Sequence, residues 1–242
     1  MQQTEKTAIV LHAVNYREND RMLTLFSPTR GRIDAMARGC RKPKSPILNA
    51  SEIFALGDYQ LYEKSGRYTV VSASLIETFF ALREDYDRLI CGTYLLGMCN
   101  AVIQEGQPAQ DLFSLLLHTL SRLTFTDQEW RPLLCGFLVH FAYDQGIQPR
   151  LRHCMRCGER IADIENAFFD LRGGGVVCRK CHTASDLPIS SAQRLWLMDA
   201  QKNGSATWVN TPEKHAPFGI MRKYVELQLG SRLRSGLSLP ED

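Results

Sequence analysis

Apolar and polar positions alternate along the first third of the chain. Thr7–Tyr16 (TAIVLHAVNY) is rich in β-branched residues, and Arg21–Ser27 (RMLTLFS) sets apolar residues two apart. That period sends alternate side chains to opposite faces of an extended chain, so both segments predict strands, joined by the polar turn 17–20 (REND). A second turn at 27–31 (SPTRG) leads to a third strand, Arg32–Arg38, with Ile33, Ala35 and Ala37 on one face. Beyond a basic loop, Glu52–Lys64 predicts a long strand with a bulge at Gly57, and Arg67–Ser74 closes the set after a Ser65-Gly66 turn. Five short strands in succession predict a small closed β-barrel of the OB type.

The period then changes. Leu75–Leu82 reads as a helix start, and Tyr86–Ile103 repeats apolar residues every three or four positions. Asp111–Leu123 predicts a second long helix. Thr126-x-x-Glu129 predicts a capping box for a third helix ending near Tyr143. Around the run Gly173–Gly175, residues 167–170 and Val176-Val177 predict a small hairpin. Ser190-x-x-Gln193 predicts the cap of a helix through Ala200, Pro212–Leu229 a last helix, and Gly230–Asp242 a frayed tail. The expected fold is thus α+β and multidomain. An OB-type barrel over residues 1–80 precedes an all-α domain over 81–242, with a zinc hairpin inserted at 150–184.

The inserted segment carries the most specific local chemistry. Cys154-x-x-Cys157 is answered by Cys178-x-x-Cys181. Two such pairs at this separation suit a tetrahedral Zn²⁺, and four thiolates close its shell, so a structural rather than a catalytic ion is expected. His153 and His182 flank the cysteines as alternative ligands. Arg156, Arg160, Arg179 and Lys180 are expected mainly to offset the negative cage, with nucleic-acid contact as the other reading. Cys91, Cys99 and Cys135 lie in apolar helical patterns and read as small core residues.

Net charge changes the picture only through its distribution. Of the formal +3 in the 242 residues, positions 1–80 hold 11 Lys/Arg against 8 Asp/Glu, whereas positions 81–147 hold 4 against 8. The basic excess concentrates in 30–44 (RGRIDAMARGCRKPK), where Arg30, Arg32, Arg38, Arg41, Lys42 and Lys44 face a single acid, Asp34. Arg17 and Arg21 add to it from the preceding turn. Cations gathered on one surface of an OB-type barrel point to phosphate backbones, and Tyr59, Tyr62 and Tyr68 are candidate stacking platforms. No apolar run reaches the ~20 residues of a membrane helix. Met1–Lys6 lacks the apolar stretch of a signal peptide, so a cytoplasmic protein is expected. There is no phosphate-binding loop, dinucleotide fingerprint, nucleophile elbow or deaminase signature, and no enzyme is expected.

The strands AIVLHAVNYREND-RMLTLFSPTRGRIDAMARG, the loop CRKPKS and the later CMRCGE…GGGVVCRKC together resemble the bacterial RecO family, in the same order and over nearly the whole chain. The resemblance implies a non-enzymatic mediator of DNA repair and recombination after DNA damage. Such a protein binds single- and double-stranded DNA, anneals complementary strands without ATP, and helps load RecA onto strands coated by single-strand-binding protein. It also implies RecR, the acidic C-terminal tail of the coating protein, and often RecF as partners, and a nucleoid-associated location. Carried over by motif, Arg30, Arg32, Arg38, Arg41, Lys42 and Lys44 become its DNA-contacting candidates, to which the charge pattern adds Arg17 and Arg21, and the four cysteines become its zinc ligands. The competing reading is a zinc-ribbon adaptor in transcription or translation that binds RNA or protein.

Overall fold

Alternation in the third strand buries one row of side chains and leaves the other more exposed, whereas the middle of the first strand and the end of the second are buried on both faces. In the computed structural model, which describes residues 2–203, 215–230 and 239, β1 (Gln2–Tyr16), β2 (Asp20–Ser27), β3 (Gly31–Ala37), β4 (Leu56–Lys64) and β5 (Arg67–Glu77) close in the order β1-β2-β3-β5-β4. Ala8, Val10, Leu23, Leu25, Ile33, Ala35, Tyr59, Leu61 and Val70 share its core. β1 is long enough to serve two neighbours. Its first half pairs with β4 and its second with β2, and a register shift between Val10 and His12 turns it from one to the other. β3 and β5 pair in parallel, which completes an OB-type barrel.

Two expectations about strand limits are corrected. Glu52–Ala55 does not extend β4; it follows a 3-10 turn at Asn49–Ser51. There Phe54 takes a positive φ of 74° while its N–H and that of Val10 bond across to Val10 and Ala55. Backbone that sits opposite the bend in β1 cannot keep the ladder. Leu75–Leu82 does not start a helix, because β5 continues to Glu77 and a 3-10 turn spans Phe80–Glu84. The bulge at Gly57 is present as a register shift between Leu56 and Gly57.

The chain forms two compact units, one through Thr124 and the other spanning Phe125–Leu233. The first unit adds α1 (Tyr86–Val102), whose N-cap Asp85 accepts from the Arg88 N–H at 3.0 Å, and α2 (Gln110–Phe125). The family of buried residues in these helices includes Cys91 and Cys99, as expected.

In the second unit α3 (Trp130–Asp144) is buried along most of its circumference. It packs with α4 (Ser191–Asn203) and α5 (Phe218–Leu229), and Trp130 meets Phe218 edge-on at 5.4 Å. The capping box expected at Thr126 and Glu129 does not form; Glu129 is the N-cap and makes no side-chain cap bond. Pro132 explains the late start. In a helix begun at Thr126 its ring would press on the Gln128 carbonyl, whereas in a first turn its missing N–H is harmless. The box at Ser190 does form: the Ser190 N–H donates to Gln193 Oε1 at 3.0 Å and the Gln193 N–H to Ser190 Oγ at 3.1 Å. The expected hairpin, β6 (Ala167–Asp170) and β7 (Gly175–Val177), gains a third strand, β8 (Leu187–Ile189). The last helix begins at Phe218, and the expectations for 204–214 and for most of the tail lie outside the described residues. Among the described residues no helix is long and apolar enough to cross a membrane.

Candidate nucleic-acid interface and cysteine cage

Strand direction sorts the eight basic candidates into two groups. The β1–β2 turn and the loop leaving β3 lie at one end of these strands. The Gly39 N–H donates to Asp20 Oδ1 at 2.7 Å, and Arg41 donates from its N–H to the Asn19 carbonyl and from Nη1 to the Glu18 carbonyl. Arg17, Arg38, Arg41, Lys42 and Lys44 are all exposed there. Arg17 holds a positive φ of 54° and lies over the Tyr16 ring at 5.3 Å. Arg38, Lys42 and Lys44 have no side-chain partner among the described residues. Arg21 is half-buried beneath them, where Nη1 meets Glu52 Oε1 at 2.6 Å and the Ser51 carbonyl at 3.1 Å, so it braces the loop.

Arg30 and Arg32 lie at the far end, roughly 20 Å along the strands. Arg30 Nη1 donates to the Tyr68 hydroxyl at 3.0 Å, and Arg32 pairs with Asp34 at 3.0 Å while Nη1 reaches Asn100 of α1 at 3.2 Å. The helices of the first unit cover this half of the outer face: Phe26 meets Phe113 of α2 edge-on at 5.2 Å, and the Arg32 N–H bonds to the Gln104 carbonyl. The structure therefore gathers five of the eight at one end, places Arg21 under them, and engages Arg30 and Arg32 elsewhere.

The half of the face left open is neither flat nor purely charged. Val14 and Met22 are paired neighbours, 50% and 37% exposed, and Tyr16, 44% exposed, lies two residues beyond Val14 on the same side. The expected stacking platform Tyr59 is absent from this surface, being fully buried with its hydroxyl on the Ala50 carbonyl at 2.8 Å. Tyr62 is half-buried, and Tyr68 serves Arg30. Sequence reasoning missed Tyr16, although its neighbour Arg17 carried the signal. It also missed Lys64 and Arg67, exposed and directly opposed on either side of the β4–β5 turn. Oligonucleotides bind OB folds across the β2–β3 face and the β1–β2 and β4–β5 loops, so both omissions lie where a strand would run.

The cysteines form a second site. Both C-x-x-C segments make the same turn: the Gly158 N–H bonds to the Cys154 carbonyl at 3.0 Å and the His182 N–H to the Cys178 carbonyl at 3.1 Å. Gly158 allows the first at a φ of +77°. The sulfurs of Cys154, Cys157, Cys178 and Cys181 all lie within 4.8 Å of one another, with 3.8 Å between those of Cys157 and Cys178. A tetrahedral ion with metal–sulfur bonds of ~2.3 Å spaces its ligands roughly 3.8 Å apart, so the residues present fit such an ion. Burial pushes the Cys154 thiol up, but N–H groups of Cys157, Cys178 and Arg156 outweigh it and bring it down to about 6. Cys181, hydrogen-bonded to Cys178 and Cys157, is pushed up to about 12. Cys157 and Cys181 are both held up by neighbouring cysteines, so a cation would favour their ionised forms, and these four cysteines can hold a metal ion.

The neighbouring cations do not all serve the cage. Arg156 donates to Asp186 at 2.8 and 3.0 Å, to Asp170 at 3.3 Å and to the Cys181 carbonyl, and so ties the two C-x-x-C turns to the hairpin. Arg160, Arg179 and Lys180 line a groove of about 960 Å³ together with Glu159 and Glu165. His182 stacks on Phe168 at 3.9 Å, with its Nδ1 at the Arg179 carbonyl.

Comparison with known proteins agrees across the chain. The profile of the family described as Recombination protein O N terminal matches residues 1–79, and that of Recombination protein O C terminal matches residues 83–236. The DNA repair protein RecO of Anaeromyxobacter dehalogenans (strain 2CP-C) is 32% identical over 100% of this chain and 97% of its own. That of Acetivibrio thermocellus is 32% identical over 75% of this chain and 71% of its own, and that of Alkaliphilus metalliredigens 34% over 72% and 70%.

Proposed function

The chain belongs to the RecO family of DNA repair and recombination proteins, and from that premise we propose that it is a non-enzymatic mediator that binds single- and double-stranded DNA and anneals complementary strands without ATP. It then helps load RecA onto strands coated by single-strand-binding protein, with RecR, the coating protein's C-terminal tail and often RecF as partners. The observation that carries the reading is the end of the barrel where Arg17, Arg38, Arg41, Lys42 and Lys44 surround the exposed Tyr16–Val14–Met22 strip. Cations there displace the counterions of a phosphate chain while the strip receives base faces. Arg21 holds the loop, Arg30 binds Tyr68 of β5 within the barrel, and Arg32 fastens the barrel to α1. Annealing then requires no bond chemistry, because neutralised phosphates no longer repel a complementary strand. The ion we assign to Cys154, Cys157, Cys178 and Cys181 is Zn²⁺, which would hold the two turns of the hairpin together; a closed sulfur shell leaves it no catalytic position.

Charge reversal tests the reading. Arg38→Glu/Arg41→Glu/Lys42→Glu should abolish binding of a short single-stranded oligonucleotide and leave the thermal melt unchanged. For the native chain, five phosphate contacts predict a slope of log affinity against log salt near −3.5, at ~0.7 per contact on a single strand. A native affinity that hardly responds to salt, or a variant that binds normally, overturns the assignment. A strong preference for RNA over DNA of one sequence would favour the adaptor reading instead.

A further inference from the structure

The second unit carries a cationic groove distinct from the mixed-charge one beside the cage. It measures about 510 Å³ and is lined by Arg150, Arg152 and His153 from the segment entering the zinc hairpin, and by Met198 and Lys202 of α4. Its lining contains no carboxylate. The side chains of Arg150, Arg152, His153 and Lys202 have no polar partner among the described residues, and all four are exposed.

The backbone beneath them is fixed at every point. The Arg150 N–H bonds to the Gly174 carbonyl and the Arg150 carbonyl accepts from Val176, both across to the hairpin. The Arg152 carbonyl accepts from the Ile161 N–H at 3.0 Å, and the Pro149 carbonyl from Gln201 Nε2 at 2.9 Å. Between the two arginines, Leu151 is buried and its carbonyl accepts from Arg194 Nη1 at 3.2 Å. Arg150 and Arg152 flank the buried Leu151, the chain bends at Arg152, and both arginines line the one groove.

We propose that this groove holds the phosphate backbone of a second DNA strand, so that one chain carries one strand on its barrel and another on its second unit. Two planar guanidinium forks lining one carboxylate-free groove suit a phosphodiester chain, whose phosphates such forks can bind bidentately. The inference rests on the barrel reading for the first strand and adds the site that would make annealing an event on a single chain.

The test uses the metal-loaded full chain saturated with an immobilised oligonucleotide and measures capture of a labelled, non-complementary second strand. Arg150→Gln/Arg152→Gln should lower second-strand capture about tenfold and flatten its salt slope by about 1.4, at ~0.7 per lost contact. First-strand affinity should stay within about twofold. Lys202→Gln, on a different element, should flatten the slope by about half as much, and Arg150→Lys/Arg152→Lys should restore the salt slope but only part of the capture, since an ammonium cannot bind a phosphate bidentately. Capture by the glutamine variant equal to that of the native chain overturns the proposal, as does a native chain that captures no second strand. If the variant loses an Asp/Glu-rich peptide but keeps the second oligonucleotide, the groove is a peptide site and the proposal falls. Failure of the barrel reading looks different: first-strand binding would survive the reversal of Arg38, Arg41 and Lys42.

Discussion

Arginine has three different fates within one short stretch of the second unit. Arg150 and Arg152 are free on the surface, Arg156 is tied to Asp186 and Asp170, and Arg194 is fully buried. The guanidinium of Arg194 donates to the carbonyls of Leu151, Ile161, Ala162 and Glu165, so one α4 side chain gathers three loop segments. Burial lowers its pKa, opposed by the Asp163 and Glu165 carboxylates. Arg194→Ala would strand those carbonyls and is expected to destabilise the second unit by about 3 kcal/mol, read as a lower urea midpoint. None of this division is legible in the sequence, because every partner comes from a distant segment. Tyr59 is different: its parity with Leu61 on β4 already places it with the core row. Tyr16 stands at a strand end, where alternation alone does not decide exposure. Tyr16→Ala should weaken oligonucleotide affinity by about 1–3 kcal/mol with the melt unchanged, measurable by anisotropy; an unaltered affinity would remove it from the interface.

At the level of elements, the strands were legible wherever one periodicity excluded the other. β3 alternates cleanly, β1 and β2 are buried on both faces over part of their length, and all three end within a residue of the expected limit, although β1 starts five residues early. Leu75–Leu82 satisfies both periods, so pattern could not decide it, and pairing of Leu75 and Glu77 with β4 did. The caps at Thr126 and Ser190 have the same spacing and opposite outcomes, because only the first has a proline six residues on. Ser190→Ala should therefore cost about 1 kcal/mol, while Thr126→Ala should cost less, a contrast that paired denaturation curves can read. The joint between barrel and helices was invisible in the pattern. Gly31 opens β3 at a φ of +63°, and a Cβ there would press on the Gln104 and Gln107 carbonyls between α1 and α2. Gly31→Ala is expected to destabilise the first unit by about 2 kcal/mol or more, from strain and displacement together. Hydrogen exchange at Arg32 and Gly106, whose N–H groups bond across this joint, would report it first.

For the whole molecule, the basic front and the basic hairpin segment have different meanings although their formal excess is the same. Positions 1–80 and 148–182 each carry a net +3. In the first, Asp20 accepts from the Gly39 N–H and Glu52 pairs with Arg21, both holding the loop, while Arg17, Arg38, Lys42 and Lys44 make no ion pair among the described residues. In the second, Arg156 is consumed by carboxylates, Arg160, Arg179 and Lys180 share a groove with two glutamates, and a metallated cage adds negative charge. Beside the exposed Arg172, Arg150 and Arg152 line a groove with no carboxylate, a feature net charge could not locate. If the cage holds the proposed metal, the two sites should part company when it is removed. The groove depends on Gly174 and Val176 of the hairpin for its backbone bonds, and metal binding in such a cage is also folding free energy. Chelation, or Cys178→Ser, should therefore raise amide exchange over 150–182 and suppress second-strand capture. First-strand affinity at the barrel should change by less than about twofold, since its cations use none of those bonds. Equal loss of both strands on chelation would mean that the barrel surface depends on the cage, and the division of labour between the two sites would have to be abandoned.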